Sequence, residues 1–207
     1  MARSRQTIAP KRRFPSQSRS SETVALILEA AAQILEAGGL AAFTTNAVAA
    51  RAGVSIGTLY QYFADKNAVL LALARQQMET ALHAVRRALE PAQGLDPEAR
   101  VRAMVRVLIH AFGDRARARK AVIQAILAQG LGIEMMAPVA AFLASGGGDI
   151  GPGALPLTRE QLFVLSRSIL GTIRAAVLEE QPFLRSPDFE NEIVRMVLAY
   201  VSSIMKT

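Results

Sequence analysis

The chain has 207 residues, 51% of them hydrophobic, which is enough to bury one or two cores. It has no Cys, which excludes disulfides, a thiolate metal site and a Cys nucleophile, and suits a reducing cytoplasm. The net charge of +7 is unevenly placed: residues 1–20 hold Arg3, Arg5, Lys11, Arg12, Arg13 and Arg19 with no acid, leaving +1 for the rest.

Residues 1–19 mix Arg, Ser, Gln and Pro and read as a flexible basic arm. Such an arm is either an electrostatic footprint for nucleic acid or a solubilising tail. No apolar core accompanies its arginines, so a transit peptide is disfavoured. No strand-like alternation follows anywhere, and the fold class is all-α, with about nine helices. The first helix should start near Ser20 or Ser21. Val24, Ile27, Leu28, Ala31, Ile34 and Leu35 form its apolar stripe. Gly38-Gly39 should end it, with Leu40 and Phe43 folding back onto a small core.

Residues 44–66 read TTNAVAARAGVSIGTLYQYFADK. Thr45 is the expected N-cap of a short helix that Gly53 stops, since Gly takes the left-handed backbone without strain. Val54 should plug the corner. Ser55 should cap a second helix with Leu59 and Phe63 turned inward. Two short helices joined this way are a helix-turn-helix, whose second helix can enter a DNA major groove. A helical hairpin of no special purpose has the same spacing.

The string itself resembles the DNA-binding domain of the TetR family of transcriptional regulators. The matching residues are Thr45, Val48-Ala49, Ala52-Gly53-Val54-Ser55, Gly57-Thr58-Leu59-Tyr60, Tyr62-Phe63 and Lys66. With the preceding helix, the match covers about a quarter of the chain. The resemblance implies a helix-turn-helix domain over 20–66 and a ligand-binding and dimerisation domain over 67–207. It also implies a homodimer on an inverted-repeat operator in double-stranded DNA, released by a small-molecule effector.

Phosphate contacts position such a protein and base-edge contacts specify sequence. Thr45 and Ser55 sit at helix N-termini suited to anions, and Tyr60 can donate its hydroxyl to a phosphate. In the family, the Lys matching Lys66 binds the backbone. Tyr62 either does the same or packs in the core. Ile56, Gly57, Thr58 and Gln61 are the candidate base readers, with Gln61 able to take a bidentate adenine contact. Asn46 occupies a position that reaches a base in some relatives.

Lys66 should open a long helix to about Glu90, capped by Asp65 and stopped by Pro91. A fifth helix spans roughly 97–112. Asp114 can cap a sixth, whose basic start (Arg115, Arg117, Arg119, Lys120) reads as a solvated face. Ala121 to Ala144 is the most apolar stretch. Gln124, Gln129, Gly130, Gly132, Glu134 and Pro138 interrupt it too often for a membrane span, so a break and a short seventh helix are expected. Residues 145–156 read as a flexible Gly-rich loop, not a phosphate cradle, since no Gly-Lys-Ser/Thr follows. An eighth helix follows Thr158, and a ninth begins near Pro187-Asp188.

The last helix is apolar over so wide an arc that it should face both its own domain and a partner. Ile169, Ile173, Val194, Val197, Val201 and Ile204 are the candidate dimer interface. Met104, Phe112, Met135, Met136, Phe142 and Phe163 are candidates to line an apolar effector pocket, or are ordinary core. His83 and His110 have neither metal nor triad spacing, so no metal, no cofactor and no enzyme is expected. The alternative function is a ligand-independent regulator or activator of the same fold.

Overall fold

The computed structural model describes residues 15–90, 96–132, 136–142 and 157–205. Among these there are nine helices and no strand. They are α1 (Pro15–Ala42), α2 (Thr45–Ala52), α3 (Ile56–Tyr62), α4 (Lys66–Leu89), α5 (Pro97–Gly113), α6 (Ala116–Ala128), α7 (Ala137–Phe142), α8 (Arg159–Leu178) and α9 (Pro187–Ile204). The all-α expectation holds. The basic residues before Pro15, and the Gly-rich stretch 145–156, lie outside the described residues.

Most helix starts follow the capping chemistry. Asp65 accepts the Ala68 N–H at 2.8 Å, and Asp96 accepts from Glu98 and Ala99 ahead of Pro97. Thr158 and Gln161 form a reciprocal capping box, and Ser186 accepts from Phe189. Three expectations are corrected. First, α1 begins at Pro15, a residue suited to the first helical position, and not near Ser20. Second, the break at Gly38-Gly39 falls where expected, at non-helical Gly39 (φ 62), but a further short helical turn follows it to Ala42. The extra turn buries Phe43 but leaves Leu40 42% exposed, so only one of the two returns to the core.

The third correction concerns α6. Asp114 does not cap it. Arg115 takes the N-cap position in the left-handed region (φ 48) and its side chain makes no capping bond. The free amide of Ala118 donates instead to Oε2 of Glu36, on α1, at 2.9 Å. The basic start of α6 is only in part a solvated face: Arg115 and Arg117 are exposed but partnered, and Arg119 and Lys120 are half-buried. Arg115 forks onto Glu29 of α1 at 2.7 and 2.9 Å, and Arg117 donates to the Ala37 carbonyl at 3.2 Å. Arg119 donates to Gln77 and to the Ala111 carbonyl near the end of α5. Lys120 pairs with Glu180 at 2.8 Å. The guanidinium groups of Arg117 and Arg119 reach carbonyls near helix ends, where partial negative charge gathers.

Two hydrophobic cores result. The first joins α1, α2 and α3 to the start of α4 (Val69, Leu70, Leu73, Ala74) and to one face of α6 (Ala118, Ala121, Val122, Ile126). The second joins the rest of α4 (Met78, Val85) to α5, α7, α8, α9 and Ile123 of α6. The boundary drawn at residues 66 and 67 thus falls inside α4, which serves both cores. By length and composition alone, Ser20–Ala42 and Arg159–Leu178 are apolar enough to cross a membrane. The first contributes to the first core and the second to the second core, with 39% and 33% of each window buried inside the chain. The stretch Ala121–Ala144 is broken after Ala128, with Gly130 at φ 70.

Candidate nucleic-acid interface

The helix-turn-helix is built from a few local devices. Thr44, not Thr45, caps α2: its Oγ1 accepts the Ala47 N–H at 3.1 Å. The sequence offers two adjacent threonines, and only the three-residue step to a free amide separates them. Gly53 (φ 69) ends α2 by turning the chain left-handed, and its N–H donates to Ala50 while that of Val54 donates to Ala49. Val54 packs, half-buried, against the first core. Ser55 caps α3, accepting from the Thr58 N–H at 3.0 Å and sharing a hydroxyl contact with Thr58 at 2.8 Å. Val48, Ala49, Leu59 and Phe63 are buried, which fixes the roll of α3 against α2.

That roll decides what is presented. Asn46, Ser55, Ile56, Gly57, Tyr60, Gln61 and Lys66 are exposed, while Thr45, Thr58 and Tyr62 are half-buried. Tyr62 packs against the first core. Thr45 and Tyr60, fifteen residues apart, meet through their hydroxyls at 3.3 Å. This contact ties the first turn of α2 to the middle of α3, with both oxygens at the surface. Cβ-free Gly57 has only Ser55 Oγ near it, at 3.7 Å from where a Cβ would stand. A backbone can therefore approach closely at this point. Lys66 begins α4 immediately after its cap.

The effector candidates divide between two chambers. Met104 and Phe142 line one, with Leu82 and Val85 of α4. Phe112 and Met136 line another, with Met78 of α4. Phe163 lines neither: it is 59% exposed, with the Arg167 guanidinium over its ring. Met135 lies outside the described residues. The dimer candidates are also redistributed. Ile169, Ile173, Val194 and Val197 are buried in the chain's own second core, and Val201 packs half-buried against it. These four are enclosed within the single chain, which leaves Val201 and Ile204 as the candidates with surface to offer a partner. Ile204 is half-buried near the end of α9. Missed in the sequence were exposed Val164 and Met196, at 44% and 37%.

His83 and His110 are both exposed on their helices, and among the described residues no cluster of His, Asp and Glu could hold a metal ion.

A helix-turn-helix with an exposed second helix is the geometry of a DNA-binding domain. Residues 27–73 match the family model described as bacterial regulatory proteins, tetR family. The HTH-type transcriptional regulator EthR of Mycolicibacterium smegmatis is 28% identical over 193 residues, covering 88% of this chain and 87% of that protein. UidR of Escherichia coli K12 is 31% identical over 116 residues, covering 56% and 55%. Among solved structures, a putative TetR-family transcriptional regulator from a Rhodococcus species superposes with a TM-score of 0.63 at 18% identity. It covers 87% of this chain and 98% of that one. The multidrug binding protein EbrR, complexed with ethidium, gives 0.59 at 24% identity over 84% and 97%. The helix-turn-helix end of the chain thus matches the TetR family, and the relatives it resembles are named as transcriptional regulators, which supports a DNA-binding regulator.

Proposed function

We propose that the protein is a homodimeric repressor that binds an inverted-repeat operator through α3 and leaves it when a small molecule enters the second core. One observation carries this reading. Helix α4 begins with exposed Lys66 beside α3 and continues to Leu82 and Val85, which line an apolar chamber of about 70 Å³. Twenty-four residues of helix span about 36 Å, so a tilt forced at the chamber moves the recognition helix. The chamber is small beside typical ligand pockets of about 300–1,000 Å³, so an apolar effector must widen it. The ethidium complex of EbrR supports a small-molecule reading for a fold of this kind.

In this reading Gln61 and Thr58 read base edges, Asn46 and Ile56 add contacts, and Gly57 admits the backbone. Ser55, Thr45, Tyr60, Tyr62 and Lys66 hold phosphates. The partner surface is the outward face of α8 and α9, where Val164, Ser168 and Ala175 share one side of α8, and Met196 stands on α9. A repressor of this kind works in the cytoplasm.

The test is selection and sequencing of DNA bound by the purified protein. A palindromic site with half-sites about one helical turn apart or more is expected. Selection of a site lacking two-fold symmetry would refute the reading. The effector limb is tested on that same site: DNA-binding that no apolar compound of any size loosens points to a ligand-independent regulator.

A further inference from the structure

The second chamber has a different chemistry from the first. Leu170 lines both and separates them. The volume of the second is about 240 Å³. Buried Met78, Phe112 and Ile123, from α4, α5 and α6, give it an apolar interior. Arg167 and Arg174 of α8 line its exposed side with Gly171 between them. Seven residues is two helical turns, so both project from one face, about 10 Å apart along the axis. Among the described residues neither guanidinium has a carboxylate partner. Arg167 lies over the Phe163 ring at 4.8 Å, which orients it without using its N–H donors. Gly171 keeps the gap clear: a Cβ there would meet nothing within 4 Å.

A third guanidinium stands behind the apolar interior. Arg119 lies over the Phe112 ring at 5.2 Å and donates to the neutral oxygens of Gln77 and Ala111. Burial lowers its pKa to about 10, and Asp114, the acid that acts on it, is itself paired with Arg185. The described lining of this chamber therefore has positive groups and no acid. Among the described residues, the first chamber has Ser166 as its polar lining residue and no arginine in its lining, although Arg86 lies over the ring of its Phe142 at 5.2 Å.

We infer that the Arg167–Arg174 chamber binds an organic monoanion. The carboxylate sits between the two guanidinium groups, and an apolar body of up to about ten non-hydrogen atoms lies against Met78, Phe112 and Ile123. Its regulatory consequence rests on the effector reading above, but the binding itself does not.

The experiment is calorimetry on the full chain with octanoate and with octanamide, which share a body and differ in charge. Wild type should bind octanoate about tenfold or more tightly than octanamide, as a charge-assisted bond implies. R167Q/R174Q should bring octanoate down to the level of octanamide and leave octanamide unchanged. R174Q alone should fall between, and it decides the matter if the double variant loses helicity. Inorganic phosphate, which has no body, should bind more weakly than octanoate. Equal affinity for the two probes, an R167Q/R174Q variant that keeps its octanoate affinity, or no octanoate heat at about 10 mM would overturn the assignment. Octanoate binding that shows these dependencies but never loosens the operator would leave this site standing and show that its occupation does not drive release. Operator release by another compound, with no octanoate binding, would overturn this site and leave the effector reading standing.

Discussion

At the residue scale, exposed polar groups on α3 separate into two kinds of contact. Gln61 is exposed and has an amide suited to an adenine edge. Gln61→Ala should cost about 1–3 kcal/mol on the selected operator and leave non-specific binding intact. Tyr60 is 51% exposed and shares its hydroxyl with Thr45. Tyr60→Phe should weaken binding to every DNA by about 0.5–1.5 kcal/mol without changing the preferred sequence. Lys66→Ala should lower the slope of log affinity against log salt by about 1 per subunit. Fluorescence anisotropy at several salt concentrations measures all three. Unaltered sequence preference in Gln61→Ala would move base reading to another residue.

A different residue ties α5 to α9. Glu190 accepts from Arg106 at 2.8 and 3.0 Å and from Arg102 at 3.3 Å. The Arg106 bond, with help from Arg102, holds its carboxyl below the usual carboxylate value of 4.5. A carboxyl depressed on folding stabilises fully above its unfolded pKa and loses that contribution as pH falls through the folded one. The arginines remain open to solvent, so Glu190→Gln should cost roughly 1 kcal/mol at neutral pH. The difference from wild type should vanish in strong acid. Urea melts at the two pH values check this, and an equal cost at both would exclude the ion pairs as its source.

At the element scale, α6 is held by α1 as much as by its own domain. Glu36 caps its first turn through Ala118, Glu29 forks with Arg115, and Ala118, Ala121, Val122 and Ile126 join the first core. Ile123 faces the second core and the anion chamber. The helix therefore joins the DNA-binding end to the chambers by a route beside α4. Glu36→Ala should cost about 1 kcal/mol, the usual worth of an N-cap. For a chain of this size that lowers Tm by about 2–4 °C. Hydrogen exchange at the Ala118 amide should quicken, and unchanged exchange there would mean that water replaces the cap without loss.

At the scale of the whole molecule, burial in one chain decides which faces remain for a second. Val197 is fully buried, so Val197→Glu should place an unpaired charge in the protomer core and unfold the chain, at a cost of roughly 3–5 kcal/mol. Ala175→Glu, on the outward side of α8, should leave each chain folded and separate the subunits. Sedimentation together with circular dichroism distinguishes the two outcomes. A folded Val197→Glu monomer would restore α9's inner face as the interface.

The motif from Thr44 to Lys66 was legible in the sequence because caps, a left-handed glycine and inward Leu59 and Phe63 act over a few residues. Helix number and most boundaries were legible for the same reason: Asp65, Asp96, Thr158 and Ser186 cap locally. What the sequence left open depends on partners distant along the chain. Arg115 and Glu29 are 86 positions apart, and nothing local shows that α6 begins against α1 and not in water. The wide apolar arc of α9 was equally plain, but which part of it meets α5 and α8 is a matter of packing. Burial is a property of the assembled core, so Ile173 and Val197 could be read as apolar from the sequence, while only the tertiary structure assigned them to the inside.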